Sequence, residues 1–135
     1  MNKADNTKCS PIRLLLVDDE DEFRQTVAKR LARRGMVAEQ AADGAECLSL
    51  LAQKIIDVVV LDVKMPGLSG IEVLRQIADK YPKTEVILLT GHATASDGVE
   101  GIKCGAFDYL TKPIELEHLF NKICQCYETI QRFDV

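Results

Sequence analysis

Short apolar runs alternate with longer amphipathic stretches along most of the chain. Five runs resemble β-strands, and each is followed by a segment whose apolar residues recur every three or four positions, as on one face of a helix. This alternation is typical of βα units around a parallel sheet, and therefore of an α/β fold. The predicted strands cover residues 12–17, 37–41, 58–61, 85–90 and 107–110.

Capping and stop signals support the predicted helices. Asp43 followed by Glu46 is typical of a capping box at the start of the second helix. Gly35 indicates the end of the first helix, and Tyr81-Pro82 indicates the end of the third. The apolar positions expected to face the core are Phe23, Val27 and Leu31 in the first helix, Cys47, Leu48 and Leu51 in the second, Ile71, Leu74 and Ile77 in the third, and Leu116, Leu119, Phe120, Ile123, Tyr127 and Ile130 in the last, predicted over residues 115–131.

The fourth predicted helix is weaker than the others. Ala95, Val99 and Ile102 have helical spacing, but Gly98 and Gly101 lie within the same segment. Each glycine disfavours a helix by about 0.8–1 kcal/mol relative to alanine. Tertiary packing can compensate for this cost, and a weak helix also suits an element that moves. We expect this helix to be the least stable of the five.

Composition limits the class of protein. The chain has 135 residues, of which 47% are hydrophobic and 28% charged, which fits one soluble globular domain. A net charge of −4 argues against a general nucleic-acid binder. No apolar run reaches the roughly 18 residues of a membrane span, and no signal-peptide core is present, so we expect a cytoplasmic protein without membrane contact. The polar residues 1–11 and residues 132–135 are expected to be tails around a domain at 12–131.

The five cysteines do not form any C-x-x-C pair, so we expect reduced thiols rather than a metal site. Cys124 and Cys126 are two positions apart in a predicted helix and therefore point to different faces. We expect one of these two thiols to be buried and the other exposed.

Polar side chains stand at the ends of four predicted strands. Asp18 and Asp19 follow the first, Asp62 the third, Thr90 the fourth and Lys112 the fifth. The carboxyl ends of parallel strands meet in one crevice, so these side chains are expected to share a site. Three neighbouring carboxylates repel each other, and Mg²⁺ is the cation that their hard oxygen atoms favour. Such a site could bind phosphate, with Asp62 as the nucleophile that forms an aspartyl phosphate.

Each of these residues alone also has an ordinary explanation. An acidic pair after a strand is commonly a helix cap, an aspartate before Pro-Gly a turn former, and a lysine a solvated charge. It is their joint occurrence at successive strand ends that favours a functional site.

The segments "LLLVDDE", "VVVLDVKMPGLSG", "VILLTGHA" and "GAFDYLTKP" together resemble the receiver domain of bacterial two-component response regulators, over residues 12–131. The resemblance implies a flavodoxin-like (βα)5 three-layer sandwich with a five-stranded parallel sheet in the order 2-1-3-4-5. It also implies that Asp62 accepts a phosphoryl group from a sensor histidine kinase or phosphotransfer protein. Asp19 and Asp62 would then bind Mg²⁺ directly, Asp18 through water, and Lys64 through its backbone carbonyl.

Further roles follow from the same resemblance. Lys112 would contact a phosphoryl oxygen, and the peptide bond between it and Pro113 would be cis. Thr90 and Tyr109 would form the switch pair, whose movement changes the face made by the fourth helix, the fifth strand and the last helix. Gly91 would leave access to the phosphoaspartate, and His92 is expected to be a solvent-facing loop residue.

The implied protein is not a conventional enzyme, although it assists its own phosphorylation and autodephosphorylation. Its expected partners are a kinase, a downstream protein or fused output domain, and a second copy after phosphorylation. This segment is not expected to bind nucleic acid. The sequence leaves open whether the receiver acts alone or is part of a longer regulator.

Two other functions remain compatible with the pattern. A metal-dependent phosphatase with an aspartyl nucleophile usually has a second acid two residues later, where this chain has Lys64. A receiver-like docking module that is never phosphorylated is disfavoured by the complete set of five polar residues.

Overall fold

The computed structural model describes residues 11–91 and 95–133, with the side chains at 95–97, 132 and 133 left out of the description. All five predicted strands and five predicted helices are present in these ranges, and the strand boundaries agree to within one residue. The last helix begins one residue later and ends two residues later than predicted. The elements in chain order are β1 (Arg13–Val17), α1 (Asp21–Arg33), β2 (Val37–Ala41), α2 (Gly44–Gln53), β3 (Val58–Leu61), α3 (Gly70–Lys80), β4 (Glu85–Thr90), α4 (Ala95–Lys103), β5 (Asp108–Thr111) and α5 (Leu116–Phe133).

The strands form one parallel sheet in the order β2-β1-β3-β4-β5, which confirms the expected flavodoxin-like order. Alternate side chains of the central strands enter two separate cores, as the two-residue period of a strand requires. Leu14, Val58 and Ile87 pack with α1 and α5 on one face. Leu15 and Val59 pack with α2 and α3 on the other. Both faces of the sheet are thus covered by helices.

The helix starts confirm the capping signals in the sequence. The Asp43 carboxylate accepts a hydrogen bond of 2.8 Å from the backbone N–H of Glu46. The Glu46 side chain in turn accepts from the N–H of Ala42, one residue earlier than in an ideal capping box. Gly35 follows α1 with a φ of +96°, a conformation that favours glycine and ends the helix.

Helix α4 exists as predicted, but Val99 and Ile102 do not face the core. Val99 and Ile102 are 55% and 50% exposed, whereas Gly98 and Gly101 are buried against the sheet. A Cβ at Gly98 would overlap the ring of Tyr109, and one at Gly101 would overlap the side chain of Leu88. The glycines therefore allow a close approach between the helix and the sheet. That α4 is the least stable of the five helices stays a prediction.

The described cysteines are free thiols. Cys126 is fully buried and Cys124 partly buried, close to the predicted division of this pair. Burial raises the pKa of Cys47 and of Cys126 to about 12, so both remain protonated at neutral pH. None of the described helices combines the length and apolar character needed to cross a membrane.

Candidate functional site

Three carboxylates meet at the carboxyl ends of β1 and β3. Asp18, Asp19 and Asp62 each offer one oxygen, and these oxygens all lie within 4.8 Å of one another. The sheet itself places them, because the N–H of Asp18 donates to the carbonyl of Ala41 and the N–H of Asp62 donates to that of Val17. Asp18 and Asp62 are buried, while Asp19 is exposed. The three acidic residues predicted to share a site are therefore together.

Asp62 lies in an environment that opposes its negative charge. Burial, followed by the neighbouring Asp18 carboxylate, raises the pKa of Asp62 to about 6. The backbone N–H of Lys64 donates to Asp62 Oδ1 at 3.1 Å and favours the ionised form, but only in part. A cluster of hard oxygen donors with excess negative charge fits a divalent cation such as Mg²⁺.

Lys112 reaches this cluster from the end of β5. Its Nζ lies 2.8 Å from Asp18 Oδ2 and 2.6 Å from Glu20 Oε1. Burial opposes the charge of Lys112, but the two ion pairs outweigh it, so the pKa of Lys112 is raised. The Lys112-Pro113 peptide bond is cis, as the family resemblance implied. Lys112 is thus present as a cation beside the acidic cluster.

Thr90 and Tyr109 lie on the neighbouring strands β4 and β5. Thr90 is 1% exposed at the end of β4 and aligns with Thr111 of β5. Tyr109 is half-buried, and its ring packs against Gly98 of α4. Of these two residues, Tyr109 is the one that contacts α4.

Two further predicted positions, Lys64 and Gly91, lie in the loops that follow β3 and β4. Lys64 is exposed in the loop after β3, and the contact that its backbone makes with Asp62 is through its N–H. Gly91 is exposed, and a Cβ there would be 4.0 Å from the Lys112 side chain, so the approach is open. The expectation for His92 lies outside the described residues.

Sequence reasoning missed two residues that organise the site. Arg24 is buried on α1, where its Nη1 donates to the backbone carbonyl of Asp18 at 2.7 Å and to Asp21 at 2.8 Å. Its Nε donates to Gln40 of β2 at 3.0 Å. Glu20 pairs with Lys112, and this contact lowers the pKa of Glu20. The run of five acidic residues at 18–22 was the signal available for Glu20, whereas Arg24 is one arginine among several on an amphipathic helix.

Comparison with known sequences identifies relatives of this chain. The sequence profile of the response regulator receiver domain matches residues 14–124. The response regulator MprA of Mycobacterium sp. (strain KMS) is 41% identical over 113 residues, which cover 84% of this chain and 49% of MprA. The chain therefore spans about half the length of this relative.

Solved structures agree with the sequence relationship. A response regulator from Burkholderia pseudomallei, solved with a phosphorylated aspartic acid, a calcium ion and citrate, is 28% identical with a TM-score of 0.80, over 90% of this chain and 71% of that one. The beryllofluoride-activated NtrC4 receiver domain dimer is 30% identical with a TM-score of 0.83, over 87% of this chain and 98% of that one. With the profile match, these similarities show that the chain belongs to the receiver domain family of two-component response regulators.

Proposed function

We propose that Asp62 is the phosphoacceptor of this receiver domain. The observation that supports this assignment is its burial at the end of β3, where its carboxylate lies within 4.8 Å of two further carboxylates and is influenced by the charge of Lys112. A carboxylate oxygen of Asp62 would attack the phosphorus of a phosphohistidine, and the imidazole nitrogen would leave with the electron pair of the broken bond. Among the similar structures, the Burkholderia regulator has a phosphorylated aspartic acid.

The three carboxylates fit a role as Mg²⁺ ligands. Asp19 and Asp62 are proposed as direct ligands, together with the backbone carbonyl of Lys64. Asp18 is proposed to act through water, because its two oxygens already accept from the N–H of Glu20 and from Lys112. A bound Mg²⁺ would neutralise charge that develops on the phosphoryl oxygens. Lys112 supplies a second positive charge, and Thr90 a hydroxyl for the same group.

The signal is proposed to leave the site through Thr90 and Tyr109. Phosphorylation would draw the Thr90 hydroxyl toward the phosphoryl group, and the Tyr109 ring would turn inward behind it. Because that ring rests on Gly98, its movement would change how α4 packs and alter the face formed by α4, β5 and α5. This face would bind a downstream protein, a fused output domain or a second copy, in the cytoplasm. The NtrC4 receiver was solved as an activated dimer.

Intact mass tests the chemistry. Wild-type protein and Asp62→Asn are incubated with acetyl phosphate, with Mg²⁺ or with a chelator. Wild type is expected to gain about 80 Da, one phosphoryl group, only when Mg²⁺ is present, and Asp62→Asn to gain nothing. An equal gain in Asp62→Asn would show that another residue is the acceptor. The same gain in chelator would contradict the proposed role of the metal.

A further inference from the structure

The ammonium group of Lys112 is held by one short segment, the connection from β1 into α1. Asp18 and Glu20 form ion pairs with it at 2.8 Å and 2.6 Å, and the ring of Phe23 lies below it with Nζ 4.3 Å from the centroid. Only 13% of the Lys112 side chain is exposed. Its head group is therefore already surrounded by partners before any phosphoryl group is present.

Glu20 has a position where a different contact would be usual. It is the N-cap residue of α1, and its side chain accepts no capping hydrogen bond from that helix. Its carboxylate instead contacts Lys112, which is 92 residues away in the sequence. The Glu20 side chain is 63% exposed, so it can leave Lys112 without exposing any core.

A phosphoryl group on Asp62 requires the same ammonium group. During transfer from acetyl phosphate, an Asp62 oxygen bonds to phosphorus while the bond from phosphorus to the acetate oxygen breaks, and acetate leaves with the electron pair. The phosphoryl oxygens then compete with Asp18 and Glu20 for Lys112. Asp18 belongs to the proposed metal site, whereas Glu20 has no assigned part in the chemistry.

We propose that Glu20 is a positioning residue that holds Lys112 toward Asp18 while Asp62 is unphosphorylated, and so slows phosphorylation of Asp62. The inference rests on the proposed function, because it concerns the rate of that reaction. An exposed ion pair is weak, so its effect on the rate is limited to about two- to fivefold.

The test compares initial rates of phosphorylation by acetyl phosphate at saturating Mg²⁺. Glu20→Gln is expected to be phosphorylated about two- to fivefold faster than wild type. Glu22→Gln, which removes the same charge from an exposed residue of the first turn of α1, is expected to match wild type. Glu20→Asp keeps the charge but is one methylene too short for the observed contact, and is expected to be faster than wild type as well.

A double-mutant cycle adds a readout that a general charge effect would not change. In a Lys112→Met background, Glu20→Gln is expected to have no further effect on the rate or on the unfolding free energy. Equal rates for Glu20→Gln and Glu22→Gln, or a wild-type rate for Glu20→Asp, would overturn the inference. Absence of phosphorylation in every variant would instead reject the proposed function, and the unfolding cycle would still report whether the pair forms.

Discussion

A buried carboxylate among other carboxylates is unfavourable unless a positive charge compensates it, and Asp62 is in that situation. Its raised pKa, about 6 against an ordinary 3.8, shows that Lys112 and the Lys64 N–H compensate only in part. A reactive residue kept in a destabilising environment is a common feature of functional sites. At the scale of single residues, the ionised Asp62 carboxylate is therefore expected to lower the free energy of unfolding of the domain.

Asp62→Asn is expected to stabilise the domain in metal-free buffer. The pKa of Asp62 is higher in the folded state, about 6, than its ordinary value of 3.8 in the unfolded chain. The free energy of unfolding of the wild type is therefore highest while Asp62 is protonated, and it falls as the pH rises from 3.8 through about 6. The Asn variant lacks this titration. Its free energy of unfolding in urea with chelator should exceed that of wild type by about 1 to 3 kcal/mol above pH 7.

The same unfolding measurement has two controls, its dependence on pH and a second Asp→Asn variant. The advantage of Asp62→Asn should shrink as the pH falls below about 6, and Asp79→Asn, at an exposed carboxylate near the end of α3, should leave stability unchanged. A variant that is less stable than wild type at pH 8 would show that the charge of Asp62 is compensated after all.

Arg24→Met should damage the site without touching Asp62. The change keeps most of the buried side-chain volume but removes the charged donors to the Asp18 carbonyl, Asp21 and Gln40. We expect a loss of about 2 kcal/mol in unfolding free energy, together with weaker Mg²⁺ binding, both measured by titration. Arg30→Met, at an exposed position on the same helix, is the control. Similar losses in both variants would mean that Arg24 has no special role.

At the scale of elements, α4 shows where sequence reasoning succeeded and where it did not. The spacing of Val99 and Ile102 correctly predicted a helix, but the side that faces the sheet is made of glycines. A pattern based on hydrophobicity cannot detect this, because glycine adds almost no signal. The close approach depends on the size of the Tyr109 and Leu88 side chains, which lie on other strands.

Gly98→Ala therefore sets two effects against each other. Helix propensity alone predicts a gain of about 1 kcal/mol. The added Cβ would overlap the Tyr109 ring, and such overpacking costs about 1–3 kcal/mol. We expect a net loss of about 1 kcal/mol in urea unfolding, whereas Val99→Ala, at an exposed position, should change stability little. A clear gain for Gly98→Ala would contradict the packing of Tyr109 on α4.

At the scale of the whole molecule, the apolar runs predicted the five strands, whereas the order of the strands was implied by the family resemblance. Buried parallel strands require continuous apolar runs, so a polar residue directly after such a run could be recognised, as with Asp62 after Val58–Leu61. The ion pair between Lys112 and Glu20 could not be predicted in the same way. This contact spans 92 residues and depends on side-chain reach, which no local pattern encodes.

Activation should promote association through the exposed apolar residues of α4. With beryllofluoride and Mg²⁺, we expect wild type to dimerise in analytical ultracentrifugation, and Val99→Asp or Ile102→Asp to weaken the dimer at least tenfold. Ile55→Asp changes a residue that is 71% exposed but lies outside this face, and should dimerise normally. If Ile55→Asp is as defective as the α4 variants, the interface lies elsewhere.

The most direct test is to identify the modified residue. Protein phosphorylated with acetyl phosphate is treated with borohydride, which reduces an aspartyl phosphate to homoserine, and its peptides are sequenced by mass spectrometry. We predict homoserine at position 62, with Asp18 and Asp19 unchanged and no conversion in protein kept without Mg²⁺. Homoserine at position 18 or 19, with Asp62 intact, would contradict the assignment of Asp62 as the phosphoacceptor.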